Sequence, residues 1–283
     1  MSAKVKPRPW TRVTTIANTL ADRYALEQWA QRNTVLGLGA RKDLYALAAT
    51  ARPEDRDQLT AIVEQAQEAA KARSGANLGT ALHRLTERID TGEDLDVPDS
   101  WKPDIDAYCQ TLVAHQVTIH REWVERVVII PQLGAAGTLD RLVTLNGANS
   151  LRVADLKTGK EAPTYVNETA LQLACYANAS YVWKHSTDDI KRDRYGRYLL
   201  PDPAESPEDY EPMPVVDTDH ALLIHLPVGE GVCTLHEVDI KAGKEAVRLA
   251  MSVREWRKRR DLAWPFSPPP FRGGASQTSG DDW

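Results

Sequence analysis

The densest apolar patterning lies in the middle of the chain. Residues 137–145 (GTLDRLVTL) and 150–157 (SLRVADLK) are rich in β-branched and aliphatic side chains and read as two strands. Asn146-Gly147 between them is a strong hairpin signal, because both residues tolerate the positive φ of a tight turn. Upstream, apolar positions recur at helical spacing. Ile16, Leu20, Tyr24 and Trp29 predict a helix over 11–32, which Gly37-Leu38-Gly39 breaks. A second helix is expected over 40–50, and Pro53 opens a third with Leu59, Ile62, Val63, Ala66 and Ala70 on one face. After Ser74-Gly75, Leu78, Leu82, Leu85 and Ile89 mark another helix. Residues 92–98 read as a turn, 101–116 as a helix and 119–130 as a strand rich in Val and Ile. Beyond the hairpin, 163–184 reads as a helix, and 187–219 as a long loop with a short strand at 194–200. A second hairpin over 220–227 and 233–240 and a last helix over 241–260 complete the pattern.

Elements in this order predict an α/β fold with a helical section at its N-terminal side. The expected organisation is a flexible arm at 1–10, one domain at 11–263 and a disordered, Pro/Gly/Ser-rich tail at 264–283. Within the domain, 11–73 is the helical section and 74–263 the core.

Composition narrows the classes. The opening MSAKVKPRPW has no apolar stretch of the secretory kind, and no apolar run approaches the roughly 18 residues of a membrane span. Cys109, Cys175 and Cys233 are scattered and odd in number, which argues against a disulfide framework and points to a reducing cytoplasm. There is no G-x-x-x-x-G-K-[ST] phosphate-binding loop. The net charge of −5 does not favour a nucleic-acid binder, yet positive charge is concentrated locally. Residues 241–260 carry Lys241, Lys244, Arg248, Arg254, Arg257, Lys258, Arg259 and Arg260 against Glu245 and Glu255. This is either a phosphate-binding patch or a solvated helix end.

The candidate chemistry sits in the central hairpin. With a four-residue loop at 146–149, Leu145 faces Ser150 and Asp140 faces Asp155. A two-residue loop makes the two Asp diagonal neighbours, and a one-residue slip separates them to opposite faces. Asp155 and Lys157 are two apart, so both leave the strand on one side. Paired carboxylates repel unless a cation neutralises them, and oxygen ligands suit Mg²⁺ or Mn²⁺. A lysine beside such an ion is apparatus for hydrolysing a phosphodiester. The competing reading is a surface ribbon of alternating charge. The strand-end position of Asp155 and Lys157, with Asp140 in a matching place, favours a site.

At these residues the chain resembles the PD-(D/E)XK nucleases, in their RecB-like, phage-type exonuclease branch. The match comprises Gly79-x-x-x-His83, Gly137-x-x-Asp140-Arg141, Asp155-x-Lys157-Thr158-Gly159 and Gln172-x-x-x-Tyr176, in that order. The resemblance implies a restriction-endonuclease-like core, with a central mixed sheet flanked by helices, and a DNA exonuclease of recombination or repair. It further implies metal ligation by His83, Asp140, Asp155 and the Leu156 carbonyl, with Gln172 and Tyr176 supporting Lys157 or the DNA backbone. Glu87, one turn after His83, is placed to orient its imidazole. Glu125 is either an acidic neighbour of the site or a surface residue. Three cysteines are too few for the iron–sulfur cluster of some RecB-like nucleases. Trp283 is a candidate anchor for a single-strand-binding protein or a recombinase. The alternatives are an endonuclease on the same core, a non-catalytic protein binding DNA or a recombinase, and an unrelated sugar- or nucleotide-handling enzyme.

Overall fold

The apolar runs beyond residue 116, joined by one strand near the start of the chain, build two sheets rather than one. The computed structural model describes residues 5–70, 74–147, 150–160, 164 and 166–266. The N-terminal part comprises β1 (Arg8–Arg12), α1 (Val13–Ala17), α2 (Tyr24–Ala40), α3 (Lys42–Thr50), α4 (Arg56–Ala69), α5 (Ser74–Asp90) and α6 (Lys102–Ala114). Then come β2 (Val117–Ile119), β3 (Arg126–Ile130), β4 (Ala135–Leu139), β5 (Arg141–Leu145), β6 (Arg152–Lys157) and α7 (Asn167–Ala177). The chain closes with β7 (Tyr181–Trp183), β8 (Tyr198–Leu200), β9 (Tyr210–Pro212), β10 (His220–His225), β11 (Thr234–Asp239) and α8 (Ile240–Lys258).

One sheet has the order β8-β1-β4-β3-β7-β9 and the other β11-β10-β6-β5-β2, so the fold is mixed α/β. The five-stranded sheet is covered on both faces. Leu142, Val153 and Leu223 pack with Leu171 and Leu173 of α7 and Ala250 of α8. Val143, Ala154, Leu156, Leu222 and Ile224 pack with Leu82 of α5 and with Ile105 and Tyr108 of α6. Alternate residues of each strand therefore serve two cores, and doubly buried strands read as near-continuous apolar runs.

The hairpin register is the one expected for a four-residue loop: Arg141 pairs with Ala154, Leu142 with Val153 and Val143 with Arg152. Loop residues 148 and 149 lie outside the described residues. The ladder stops one pair before Asp140 and Asp155, because the expected strand over 137–145 is two strands. Asp140 is the single residue between β4 and β5, where the chain passes from one sheet to the other. The expected strand over 119–130 is divided in the same way. β2 pairs with β5, β3 pairs with β4, and a 3-10 turn at Arg121–Trp123 separates them.

Other expectations are corrected by long-range packing. Arg8–Arg12 is a strand, not part of an arm or helix; Trp10 is fully buried and its indole N–H donates to the Leu200 carbonyl at 3.1 Å. The helix expected over 11–32 is instead the end of β1, the short α1 and the start of α2. Gly37 does not break α2. It lets α2 cross α4 closely, since a Cβ there would lie 1.7 Å from the Ala66 carbonyl oxygen. The helix expected over 163–184 ends at Ala177, and Tyr181–Trp183 becomes a strand between β3 and β9. The expected loop over 187–219 contains β8 and β9, whose Tyr198, Leu200 and Tyr210 close a core with Trp10, Val127 and Ile129. The second hairpin and α8 form as expected, and Asp239 caps α8 by accepting the Ala242 N–H at 2.9 Å. Residues 1–4, Pro163 and the tail from 267 to Trp283 lie outside the described residues.

Candidate active site

Two of the crossings between the sheets, β2 to β3 and β4 to β5, deliver a carboxylate to the same place. Asp140 directly follows β4, and its Oδ2 accepts the Leu156 N–H at 3.0 Å. Glu125 precedes β3 and donates its N–H to the Asp140 carbonyl at 2.9 Å. Its φ of 53° is uncommon for a non-glycine residue. Such strain costs on the order of 1–3 kcal/mol and persists only where the surroundings hold it. Glu125 is half-buried, and its Oε1 has no hydrogen-bond partner among the described residues. Burial, then the charges of Asp140 and Glu87, push its carboxyl up to about 8.

Helix α5 supplies the third group. His83 faces Asp140 Oδ2 through Nε2 at 3.0 Å, and its Nδ1 bonds Glu87 one turn on. Burial alone lowers the imidazole's proton affinity, but the hydrogen bonds it donates to Asp140 and Glu87 outweigh it and raise its pKa to about 10. One ligand atom from each of His83, Glu125 and Asp140 lies within 4.8 Å of the others. They line a cavity of about 640 Å³ together with Gly79, Thr158 and Gly159. Imidazole plus two carboxylates, one with an unpartnered buried oxygen, is a donor set that fits a divalent cation.

Asp155 stands beside this trio and outside it. It is 2% exposed, and burial, then repulsion from Asp140, raise its pKa to about 6. The Lys157 ammonium lies 2.7 Å from Asp155 Oδ2, at ion-pair distance. That oxygen accepts no well-angled hydrogen bond among the described residues. Burial opposes the charge on Lys157, yet Asp155 and Asp140 overcome it and hold its pKa above the ordinary value. From α7, the Gln172 amide donates to Asp155 Oδ1 at 3.4 Å and to the Tyr176 hydroxyl at 3.3 Å.

The four sequence motifs interlock through their glycines. A Cβ at Gly79 would stand 2.5 Å from Thr158 Oγ1, so the small residue lets α5 approach the end of β6. A Cβ at Gly137 would stand 2.7 Å from Tyr176 Cε1 and 2.9 Å from its hydroxyl. Gly137 thus makes room for the tyrosine that touches Gln172.

A family model described as the PD-(D/E)XK nuclease superfamily matches residues 42–187, just over half of the chain. The chain belongs to the PD-(D/E)XK nuclease superfamily. Membership implies a metal-dependent nuclease with DNA as its substrate. No curated protein matches the chain. Among the described residues, no helix is long and apolar enough to cross a membrane.

The structure brings most of the residues singled out in the sequence together. His83, Asp140, Asp155, Lys157, Gln172 and Tyr176 are neighbours, and Glu87 holds His83 as expected. Glu125 is half-buried rather than on the open surface, within 4.8 Å of the His83 and Asp140 ligand atoms. A buried network beneath Asp140 was missed. Arg141 is fully buried and its Nε donates to Asp90 Oδ2 at 2.5 Å, while Nη2 donates to Thr86 Oγ1 at 2.8 Å. The Tyr108 hydroxyl donates to the same Asp90 carboxylate. The available signal was spacing on α5: Thr86 and Asp90 follow His83 at three and seven residues, along one helical face.

Proposed function

We propose that the chain is a DNA exonuclease of phage or bacterial recombination and repair that hydrolyses phosphodiester bonds with Mg²⁺ or Mn²⁺. One observation carries the reading: the His83, Glu125 and Asp140 donors within 4.8 Å, beside the Lys157–Asp155 ion pair. The exonuclease assignment is supported by the order of the four motifs, which is that of the RecB-like branch.

The cation-binding residues in this reading are His83, Glu125 and Asp140, to which the family resemblance adds Asp155 and the Leu156 carbonyl. A divalent ion held there would supply Lewis-acid polarisation of the scissile phosphate and a water of lowered pKa. Glu87 fixes the His83 ring by accepting the Nδ1 proton, so that Nε2, which faces Asp140, is the nitrogen that would hold a cation in place of its proton. The imidazole nitrogen tilts the preference toward Mn²⁺, being a softer ligand than a carboxylate. Lys157 stays an ammonium because two carboxylates face it. Its role is to position the attacking water and stabilise the negative charge that builds on the phosphate oxygens. Asp155 orients Lys157, and Gln172 and Tyr176 orient Asp155 from α7.

The test is digestion of end-labelled linear and closed circular DNA in Mn²⁺, Mg²⁺ or EDTA, with Lys157→Ala and Asp155→Ala alongside. Metal-dependent loss of linear DNA only, absent in both variants, is the expected result, and the label gives the polarity. Cleaved circles would identify an endonuclease. Wild-type digestion by either variant would overturn the residue roles.

A further inference from the structure

A second, smaller cavity of about 170 Å³ adjoins the site on its α7 side. That volume is ample for a tetrahedral oxyanion of five heavy atoms. Its lining includes Arg12, Thr14, Thr138, Gln172, Arg192 and Tyr198, and no carboxylate. Gln172 also touches Asp155, so one side chain separates this cavity from the catalytic pair.

The arginines are the telling feature. Along the same sheet, Arg8 is neutralised by Asp202, Arg126 by Glu211 and Arg197 by Asp193. Arg12 and Arg192 have no ion-pair partner among the described residues. Arg192 is nevertheless held in place. Its guanidinium lies 4.7 Å from the Tyr198 ring centroid, and its Nη2 donates to the Tyr198 hydroxyl at 3.4 Å. Tyr198 is itself tied to Thr138 through a hydroxyl pair at 3.0 Å. Two uncompensated guanidinium groups and several hydroxyls around a small polar cavity are the chemistry that recognises a phosphate.

We propose that this cavity binds a non-scissile phosphate of the DNA strand being cut and so sets where along the strand the scissile bond falls. The proposal rests on the nuclease reading above. The phosphate is either a terminal monoester or an internal diester, which share this chemistry.

The experiment compares wild type with Arg12→Gln/Arg192→Gln. Binding of duplexes with 5′-phosphate or 5′-hydroxyl ends, labelled at the 3′ end, is measured in EDTA over a range of salt. Steady-state cleavage is measured in Mn²⁺. The variant is expected to bind about ten- to a hundredfold more weakly, the loss typical of hydrogen bonds to a charged group. The slope of log affinity against log salt should become shallower by about 1. KM should rise while kcat at saturating DNA stays unchanged. A loss confined to 5′-phosphorylated duplexes assigns the cavity to a terminal phosphate, and an equal loss on both assigns it to an internal one. Arg12→Lys/Arg192→Lys keeps the charge and should keep the salt slope. Unchanged affinity, slope and KM in the Gln variant would overturn the proposal, as would a Lys variant as impaired as the Gln variant. A wild-type chain that binds DNA but cuts none would sink the nuclease reading, and the binding comparison would still decide the cavity.

Discussion

Arg141 is the side chain whose neutralisation should cost this fold most. Arg141→Met keeps much of the volume and removes the charge. Asp90, 4% exposed at its side chain, is then left with Tyr108 as its polar partner among the described residues. Two unit charges about 4 Å apart attract by about 4 kcal/mol at an effective dielectric near 20. Breaking one side of a buried pair typically costs about 3–5 kcal/mol, since the orphaned charge stays buried. The expected loss at neutral pH is therefore about 4 kcal/mol. It should depend on pH, with a definite sign. Burial already raises the Asp90 pKa in spite of the guanidinium, and removing Arg141 raises it further. A carboxyl whose folded-state pKa lies above its unfolded value contributes stability that is full below the unfolded value. That stability is lost as pH rises through the folded value. The deficit of Arg141→Met should thus shrink on mild acidification and be largest at neutral pH and above. Adding Asp90→Asn removes the orphaned charge and should restore half the loss or more. Urea unfolding, followed by the fluorescence of the eight tryptophans, measures all three chains at mildly acidic and neutral pH. A deficit below about 1 kcal/mol, or one equal at both pH values, would refute the reasoning.

Three further outcomes follow from the geometry. Glu87→Gln should weaken Mn²⁺ binding about ten- to a hundredfold by calorimetry, because Glu87 sets the His83 ring; unchanged affinity would separate Glu87 from the metal centre. Gly137→Ala places a methyl 2.7 Å from Tyr176 Cε1 and 3.1 Å from Val13 Cβ, which should cost about 1–3 kcal/mol and lower kcat. Thermal melting and single-turnover cleavage both read it, and wild-type values in both would contradict the packing. Gly37→Ala forces α2 away from the Ala66 backbone, so hydrogen exchange should quicken across α2, α3 and α4. An unaltered exchange pattern would show that the two helices do not cross as tightly as described.

Much of the chemistry was legible before any fold, because its signals are short-range. Asp155-x-Lys157 on one strand face, Gln172 and Tyr176 one helical turn apart, and His83 with Glu87 depend only on the periods of strand and helix. The Asn146-Gly147 turn announced the hairpin, while its register stayed open between a two- and a four-residue loop until the pairing of Arg141 with Ala154 decided it. Strands buried on both faces announced themselves as apolar runs.

What tertiary structure decided is where those runs divide. Residues 119–130 and 137–145 each look like one continuous strand, since β-forming composition does not reveal which neighbour accepts each hydrogen bond. Partners distant in the chain end the ladders at 120–125 and at Asp140, and those breaks bring Glu125 and Asp140 together. The Arg141–Asp90 pair spans 51 residues, and the cavity lined by Arg12 and Arg192 joins segments 180 residues apart. No local period encodes such contacts. The same holds for Arg8–Arg12 and Tyr181–Trp183, short segments that become strands only because a sheet edge elsewhere offers unpaired backbone groups.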